Sequence, residues 1–274
     1  MKIAIVGLGF MGGSLAAACR RKFPKSRILG ISRNPTSLRF ARKKRWVHET
    51  STDLDRAVSA DLVILCTPVD TFPKILSRLE QKASAPLRVT DIGSVKGDIL
   101  RRLRGKRLRK VQFVGAHPMA GSHQRGIHAA AADIYDGGFT FLIREKGVPR
   151  SAYQMVKAFW KKITPRIVEL SAGQHDRLVS EISHLPHAVA ACLVLTPEAR
   201  SLRFAACGFR GATRIAQGHP SIWLPIFLAN QKAILKTLSH FQKNVALFCR
   251  ALAAKKVKNL SRMLSLAAKK RSQI

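Results

Sequence analysis

Three sets of residues in this 274-residue chain have the type and spacing to do chemistry. The first is Gly7-Leu8-Gly9-Phe10-Met11-Gly12-Gly13, which follows an apolar run over 3–6 and precedes small residues from Ser14 on. In a strand, glycine turn and helix start of this kind, the first glycine allows the tight turn and the second lets the backbone approach a pyrophosphate. The third lets the helix pack near the strand, so a diphosphate meets free helix N–H groups. Gly7, Gly9, Phe10, Met11 and Gly12 are therefore candidate cofactor-binding residues.

The second set lies at later strand ends. His117 sits in Gly115-Ala116-His117-Pro118 after a short apolar strand, and the proline biases it toward extended backbone at a sheet edge. An imidazole held there could accept a proton near neutral pH, although a structural histidine would read the same way. Ser94, in Asp91-Ile92-Gly93-Ser94-Val95-Lys96-Gly97, stands where open α/β sheets place ligands; as the alternative it caps a helix beginning at Val95. The third set is His184 and His187, three apart in a helical pattern. Such a pair can share a metal, but no further ligand set is evident beside it and no metal site is expected.

These groups need elements to hold them, and the chain alternates strand and helix patterns as far as residue 170. Arg27–Ile31 reads as a second apolar strand that completes a β-α-β unit. A carboxylate at its end would bind the ribose 2′-hydroxyl of NAD, whereas this chain has Ser32-Arg33-Asn34. A hydroxyl and a guanidinium suit a 2′-phosphate, so Ser32 and Arg33 point to NADP, with NAD the alternative. A plain polar turn before Pro35 reads equally well. The run over 61–68 is apolar throughout, as a strand covered on both faces should be. Thr67 and Pro68 at its end are candidates to border the cofactor, unless they only close the strand. A strand with its C-terminal loop reads over 87–97, another short strand with a loop holding a histidine over 113–121, and strands at 139–143 and 166–170 with a helix over 152–162.

From His175 onward apolar residues recur at helical spacing. Pro186, Pro197, Pro220 and Pro225 punctuate them, and Leu178, Ile182, Leu185 and Val189 form a stripe expected to pack a helix. The fold class is α/β: a Rossmann-type dinucleotide-binding domain over 1–170, then an all-α helical substrate and dimerisation domain over 171–274.

Composition sets the limits. An apolar fraction of 46% supports a folded core, and without a run of about 18 apolar residues no spanning helix is expected. Lys2 and the apolar run to Cys19 imitate a secretory leader, but Gly7, Gly9, Gly12 and Gly13 interrupt the helix a leader needs, and a cytoplasmic location is expected. Five scattered cysteines read as reduced thiols, chiefly small buried hydrophobes. The formal charge of +34 is spread along the chain, although seven of the ten residues over 101–110 are cationic. Without aromatics beside it, this reads as solvated surface with only non-specific affinity for nucleic acid.

Taken in order, several islands resemble the prephenate and arogenate dehydrogenases of tyrosine biosynthesis. They are the glycine loop through Ser14, Asp91 to Gly97, Gly115-Ala116-His117-Pro118-Met119-Ala120-Gly121-Ser122, His175-Asp176, Ser183-His184-Leu185-Pro186-His187, and Gly208-Phe209-Arg210 through Thr213-Arg214-Ile215-Ala216. The resemblance covers roughly residues 1–235 and implies oxidative decarboxylation of a cyclohexadienol. Hydride passes to a nicotinamide, carbon dioxide leaves, and aromatisation drives the step. It implies His117 as proton acceptor with Ser94 beside it, Arg214 gripping a substrate carboxylate, His187 lining the pocket, and His184 and the His175-Asp176 pair organising it. Many relatives carry an acidic residue where this chain has His123 and an Asp where it has Gly211. With His123 in the substrate-binding set and no carboxylate to pair with an amino group, prephenate is favoured over arogenate. Two other classes fit parts of the sequence: another β-hydroxyacid or imine dehydrogenase, and a basic nucleic-acid-binding protein retaining the fold.

Overall fold

A computed structural model of the chain describes residues 1–104, 108–120, 124–145 and 147–273. Its first half opens β1 (Lys2–Val6), α1 (Phe10–Lys22), β2 (Arg27–Ile31), α2 (Pro35–Lys43), β3 (Glu49–Ser51), β4 (Leu62–Leu65), α3 (Phe72–Lys82), β5 (Leu87–Asp91), α4 (Gly97–Arg104) and β6 (Val111–Val114). The six strands form one parallel sheet in the order β3-β2-β1-β4-β5-β6. Ile3, Ile5, Leu62 and Ile64 pack under one face, and Ala4, Val63, Leu65 and Val89 under the other. Burial on both faces is why these strands are apolar without alternation. The order reverses between β1 and β4, which makes the crevice outside their C-terminal ends the expected ligand site.

A second sheet follows: β7 (Ala116–Met119), β8 (Phe139–Ile143) and, after α5 (Arg150–Ile163), β9 (Arg166–Leu170). β7 runs antiparallel to β8 and β9 parallel to it, so β7 is an edge strand. Pro118, which has no N–H to give, is tolerated there. Trp160 of α5 is fully buried and donates its Nε1–H to Thr90 Oγ1 at 3.1 Å, tying α5 to β5.

Beyond Leu170 only helices occur among the described residues: α6 (Ala172–Val179), α7 (Leu185–Leu195), α8 (Ala199–Leu202), α9 (Cys207–Thr213), α10 (Pro220–Ala229), α11 (Gln231–Ala253) and α12 (Val257–Arg271). Ser171 starts α6 with a capping box to Gln174. A single π-helical turn, Ser180–His184, joins α6 to α7, so Pro186 is absorbed into one continuous helix instead of ending it. Pro225 likewise lies inside α10.

Two expectations need correction. The stripe Leu178, Ile182, Leu185 and Val189 is only partly covered by this chain: Ile182 is 56% exposed and the other three are half-buried, while the buried face carries His175, Asp176, Ser180, His184 and His187. The π turn rotates those polar residues onto one side. Cys192, Cys207 and Cys249 are exposed, so only Cys19 among the five is a fully buried small hydrophobe. By length and composition alone the continuous helix Ala172–Leu195 could cross a membrane, with a mean hydropathy of 1.5 over an 18-residue stretch. Its four buried histidine and aspartate side chains instead make it a wall of the cluster described next.

Candidate active site

The loop after β1 has the shape its glycines imply. Gly7 adopts φ +99°, and a Cβ on Gly12 would lie 1.9 Å from the Gly7 carbonyl oxygen, so neither position accepts a side chain. A Cβ on Gly9 would meet nothing within 4 Å, and α1 begins there with no side chain capping its N–H groups. Open space before an uncapped helix N-terminus fits a dinucleotide diphosphate. Phe10 is buried, and the Met11 carbonyl accepts the Tyr135 hydroxyl at 2.9 Å, which anchors the start of α1. At the end of β2, Ser32 Oγ accepts the Asn34 N–H at 3.1 Å while Asn34 caps α2 and Arg33 is exposed. At the end of β4, Thr67 and Thr71 share a hydroxyl contact of 2.7 Å and Pro68 is exposed.

His117 is placed inside β7, not in a loop, and is 7% exposed. Its Nδ1 lies 2.9 Å from His175 Nε2, and His175 Nδ1 lies 2.8 Å from Asp176 Oδ1. Burial tends to raise the Asp176 carboxyl, but hydrogen bonds from His175 and from the Lys96 and Gly97 backbone N–H groups, at 2.9 and 2.8 Å, outweigh it and hold it below the usual range. An ionised Asp176 only accepts, so His175 Nδ1 donates and its Nε2 must accept. His117 Nδ1 therefore carries the proton and its Nε2 keeps the lone pair. Burial first, then the neighbouring His175, Lys96 and His184, push His117 well below the ordinary histidine value, so the ring is neutral at pH 7.

A second buried carboxylate fixes the same strand. Asp91, at the end of β5, accepts the Ala116 N–H at 2.9 Å and the Gly93 N–H at 2.8 Å, and pairs with the fully buried Lys96 ammonium at 2.5 Å. Burial pushes Asp91 up and Lys96 down against their mutual attraction. Lys96 thus reaches both halves of the cluster: its side chain holds Asp91, next to the residue preceding His117, and its backbone N–H holds Asp176.

The family model of the prephenate dehydrogenase nucleotide-binding domain matches residues 15–169, and that of the prephenate dehydrogenase dimerization domain matches residues 171–266. The chain belongs to the prephenate dehydrogenase family. Prephenate dehydrogenase of Bacillus subtilis is 34% identical over 89% of this chain and 68% of its own length. Cyclohexadienyl dehydrogenase of Zymomonas mobilis is 30% identical over 87% and 84%. The crystal structure of the prephenate dehydrogenase of A. aeolicus, in complex with hydroxyphenyl propionate and NAD+, superposes with a TM-score of 0.91 at 30% identity, covering 100% of this chain and 98% of that one. The chain is accordingly an NAD(P)-dependent dehydrogenase.

Within this dehydrogenase the other expected residues fall at different depths. Ser94 precedes α4 by three residues, so it does not cap a helix at Val95. The Asp176 carboxylate takes the Lys96 and Gly97 N–H groups at the helix start instead. His184 is fully buried, its Nδ1 accepts from Asn230 Nδ2 at 3.1 Å, and burial, ahead of the opposing Asp176 charge, lowers it to about 4. His187 stacks on Trp223 with ring centroids 3.5 Å apart and planes 13° from parallel. A Cβ on Gly218 would lie 2.5 Å from His187 Cε1 and 2.3 Å from Trp223 Nε1, so the stack depends on that glycine. Arg214 is exposed at the start of the turn Arg214–Gln217, which packs against α7. His123 lies outside the described residues. Among the described residues no group of three or more His, Cys, Asp and Glu is arranged to hold a metal.

Sequence reasoning left Asp91, Lys96, Asn230 and Trp223 without roles. Asp91 and Lys96 flank Ser94 within one motif, and a carboxylate and an amine five residues apart across a strand end were the available signal. Nothing in sequence marked Asn230, whose Nδ2 also donates to the Asp176 carbonyl at 2.8 Å.

Proposed function

We propose that this dehydrogenase oxidatively decarboxylates prephenate to 4-hydroxyphenylpyruvate. The observation that carries the reading is the line Asp176, His175, His117, which leaves a neutral imidazole with an unshared pair on Nε2 on the strand that packs beside the C-terminal end of β5. His117 accepts the C4 hydroxyl proton, and His175 and Asp176 fix its tautomer and stabilise the imidazolium that forms. Ser94 hydrogen-bonds near the same hydroxyl. Arg214 grips a carboxylate as a two-bond fork, and His184, His187 and His123 complete the substrate pocket.

Gly7, Gly9, Phe10, Met11 and Gly12 hold the cofactor diphosphate, Thr67 and Pro68 border its nicotinamide half, and Ser32 and Arg33 take a 2′-phosphate, which favours NADP over NAD. When bound, the oxidised nicotinamide supplies the hydride acceptor. The absence of an acidic residue at His123 and at Gly211 supports prephenate over arogenate, since neither position offers a carboxylate for an amino group. Residues 1–170 serve as the cofactor unit and 171–274 as the substrate and dimerisation unit of a cytoplasmic homodimer. The apolar side chains that the helices leave exposed, Ile182, Leu195, Leu228 and Leu252 among them, support the dimer.

Reduction of NADP and of NAD, followed by absorbance with prephenate and with arogenate at equal concentration, tests all of this. Turnover faster with prephenate and NADP is expected; a strong arogenate preference overturns the substrate reading, and no turnover with either overturns the activity.

A further inference from the structure

After Glu198 the chain contains fifteen Lys and Arg and not one Asp or Glu. No side chain of α8 to α12 can therefore neutralise a neighbour, and how the cations are placed decides what meets them. On α11 they are Lys232, Lys236, Lys243 and Arg250, separated by four, seven and seven residues. At about 100° per residue these four fall within an arc of about 40°, a single row about 27 Å long. All four are exposed, and His240 lies beside the row. The apolar side chains Ile234, Leu238, Phe241, Val245, Phe248 and Leu252 fall on the opposite side of the helix by the same count. α12 repeats the device with Lys258, Arg262 and Lys269, at the same four and seven spacing as Lys232, Lys236 and Lys243 and again all exposed.

The row has no part in the site. Whatever covers the apolar side of α11, be it this chain or a second copy, leaves the row facing away from the contact. A lipid surface would engage the apolar side of such a helix, with cations at its flanks. A row of cations alone, in water and without a counter-charge, matches an extended polyanion whose charges also repeat along a line.

We propose that the rows on α11 and α12 form a docking surface for the phosphate backbone of single-stranded nucleic acid, separate from the dehydrogenase site. No aromatic side chain lies in either row, so bases are not stacked and binding is independent of sequence. Each Lys or Arg that meets a phosphate displaces a condensed counterion. For the seven cations of the two rows the slope of log K against log salt is about −5, at about −0.7 per contact.

The test is fluorescence polarisation of a labelled twenty-nucleotide RNA against the full chain between 50 and 200 mM salt. Binding by the wild type with a slope near −5 is expected. The variant K232Q/K236Q/K243Q/R250Q is expected to bind at least tenfold more weakly at 100 mM salt, with a slope shallower by about 3. Its turnover, circular dichroism and elution volume should be unchanged, which shows that the fold is intact. The control variant R39Q/R42Q/K43Q/K44Q removes four exposed cations, three from α2 and one from its C-cap, and is expected to lose much less. Wild-type affinity in the α11 variant, equal losses in both variants, or binding to phosphatidylserine vesicles without binding to RNA would each overturn the proposal.

Discussion

The two halves of this molecule finish their cores differently. Between Ile3 and Val179 the chain buries whole strands and helix faces, with Ile3, Ile5, Leu15, Ile28, Leu62, Ile64 and Trp160 all at 0% exposure. After Val179 the only buried hydrophobic residues among those described are Ala190, Ile226, Ile234 and Ala251, while Leu195, Phe204, Leu228 and Val257 stand 65–83% exposed. The first half closes on itself because a parallel sheet is covered by its own crossover helices. The second half offers helices whose apolar sides this chain covers only in part. A site built across their junction inherits this difference: the glycine loop is rigid backbone of the first half, and His117, the proposed base, is aligned by His175 and Asp176 of α6, where the helices begin.

That contrast can be broken at its joint. His117→Asn, on the sheet side, is expected to reduce kcat by about 10²–10⁴, the range for losing a general base, with cofactor affinity little changed. Equal rates in mutant and parent would remove the assignment. Asp176→Asn, on the helical side, keeps the shape but places an amide donor against the Lys96 or Gly97 N–H and releases the His175 tautomer. A fall of about 10²–10³ in kcat with a nearly constant KM is expected, and a change in KM alone would mean that the relay is only packing. Phe248→Asp, in the exposed apolar side of α11, is expected to convert a dimer to monomers by light scattering without unfolding the β-sheet signal; an unchanged mass would show that this side is not the contact.

Smaller effects sharpen the picture. Ser32→Asp with Arg33→Ala is expected to shift the ratio of kcat/KM for NADP over NAD by about tenfold toward NAD, the scale of one lost charge-assisted contact; an unchanged ratio would leave those residues as a turn. The smallest effect is in stability. His117, His175 and His184 all sit below their ordinary histidine value because burial disfavours their charge, His184 at about 4. Groups lowered in the folded state bind protons more readily when unfolded, so their contribution is intact above about pH 6.5 and is lost as the pH falls toward 4. Thermal unfolding should therefore move to lower temperature across that window, and a flat Tm would contradict the neutral burial of these rings.

How far the sequence could be read follows the same divide. The glycine loop, β2, β4 and β5 are legible because their burial and turns are dictated by neighbours within a few residues, as Gly7 and Gly12 show. His117 was placed correctly at a sheet edge by Pro118, although the edge is a strand of a second sheet that local pattern could not separate from a loop. The packing of α6 and α7 is less legible, because a helical stripe of Leu178, Ile182, Leu185 and Val189 does not say which molecule covers it, and because a π turn is invisible in spacing. The Asp91–Lys96 pair and Asn230 were missed for a simpler reason. A buried ion pair and a lone amide acquire meaning only when strands 25 residues apart, or helices 54 residues apart, are brought together.

Trp223 has a practical use that follows from its face contact with His187. Indole emission responds to an imidazole stacked on it, and to whatever later displaces or charges that imidazole. Trp160 is sealed in the core and Trp46 is half-buried against Phe40, so in a Trp46→Phe variant changes in the intrinsic ultraviolet fluorescence on titration with ligand would report chiefly on His187. Such a variant would gauge occupancy of the proposed pocket with neither label nor turnover.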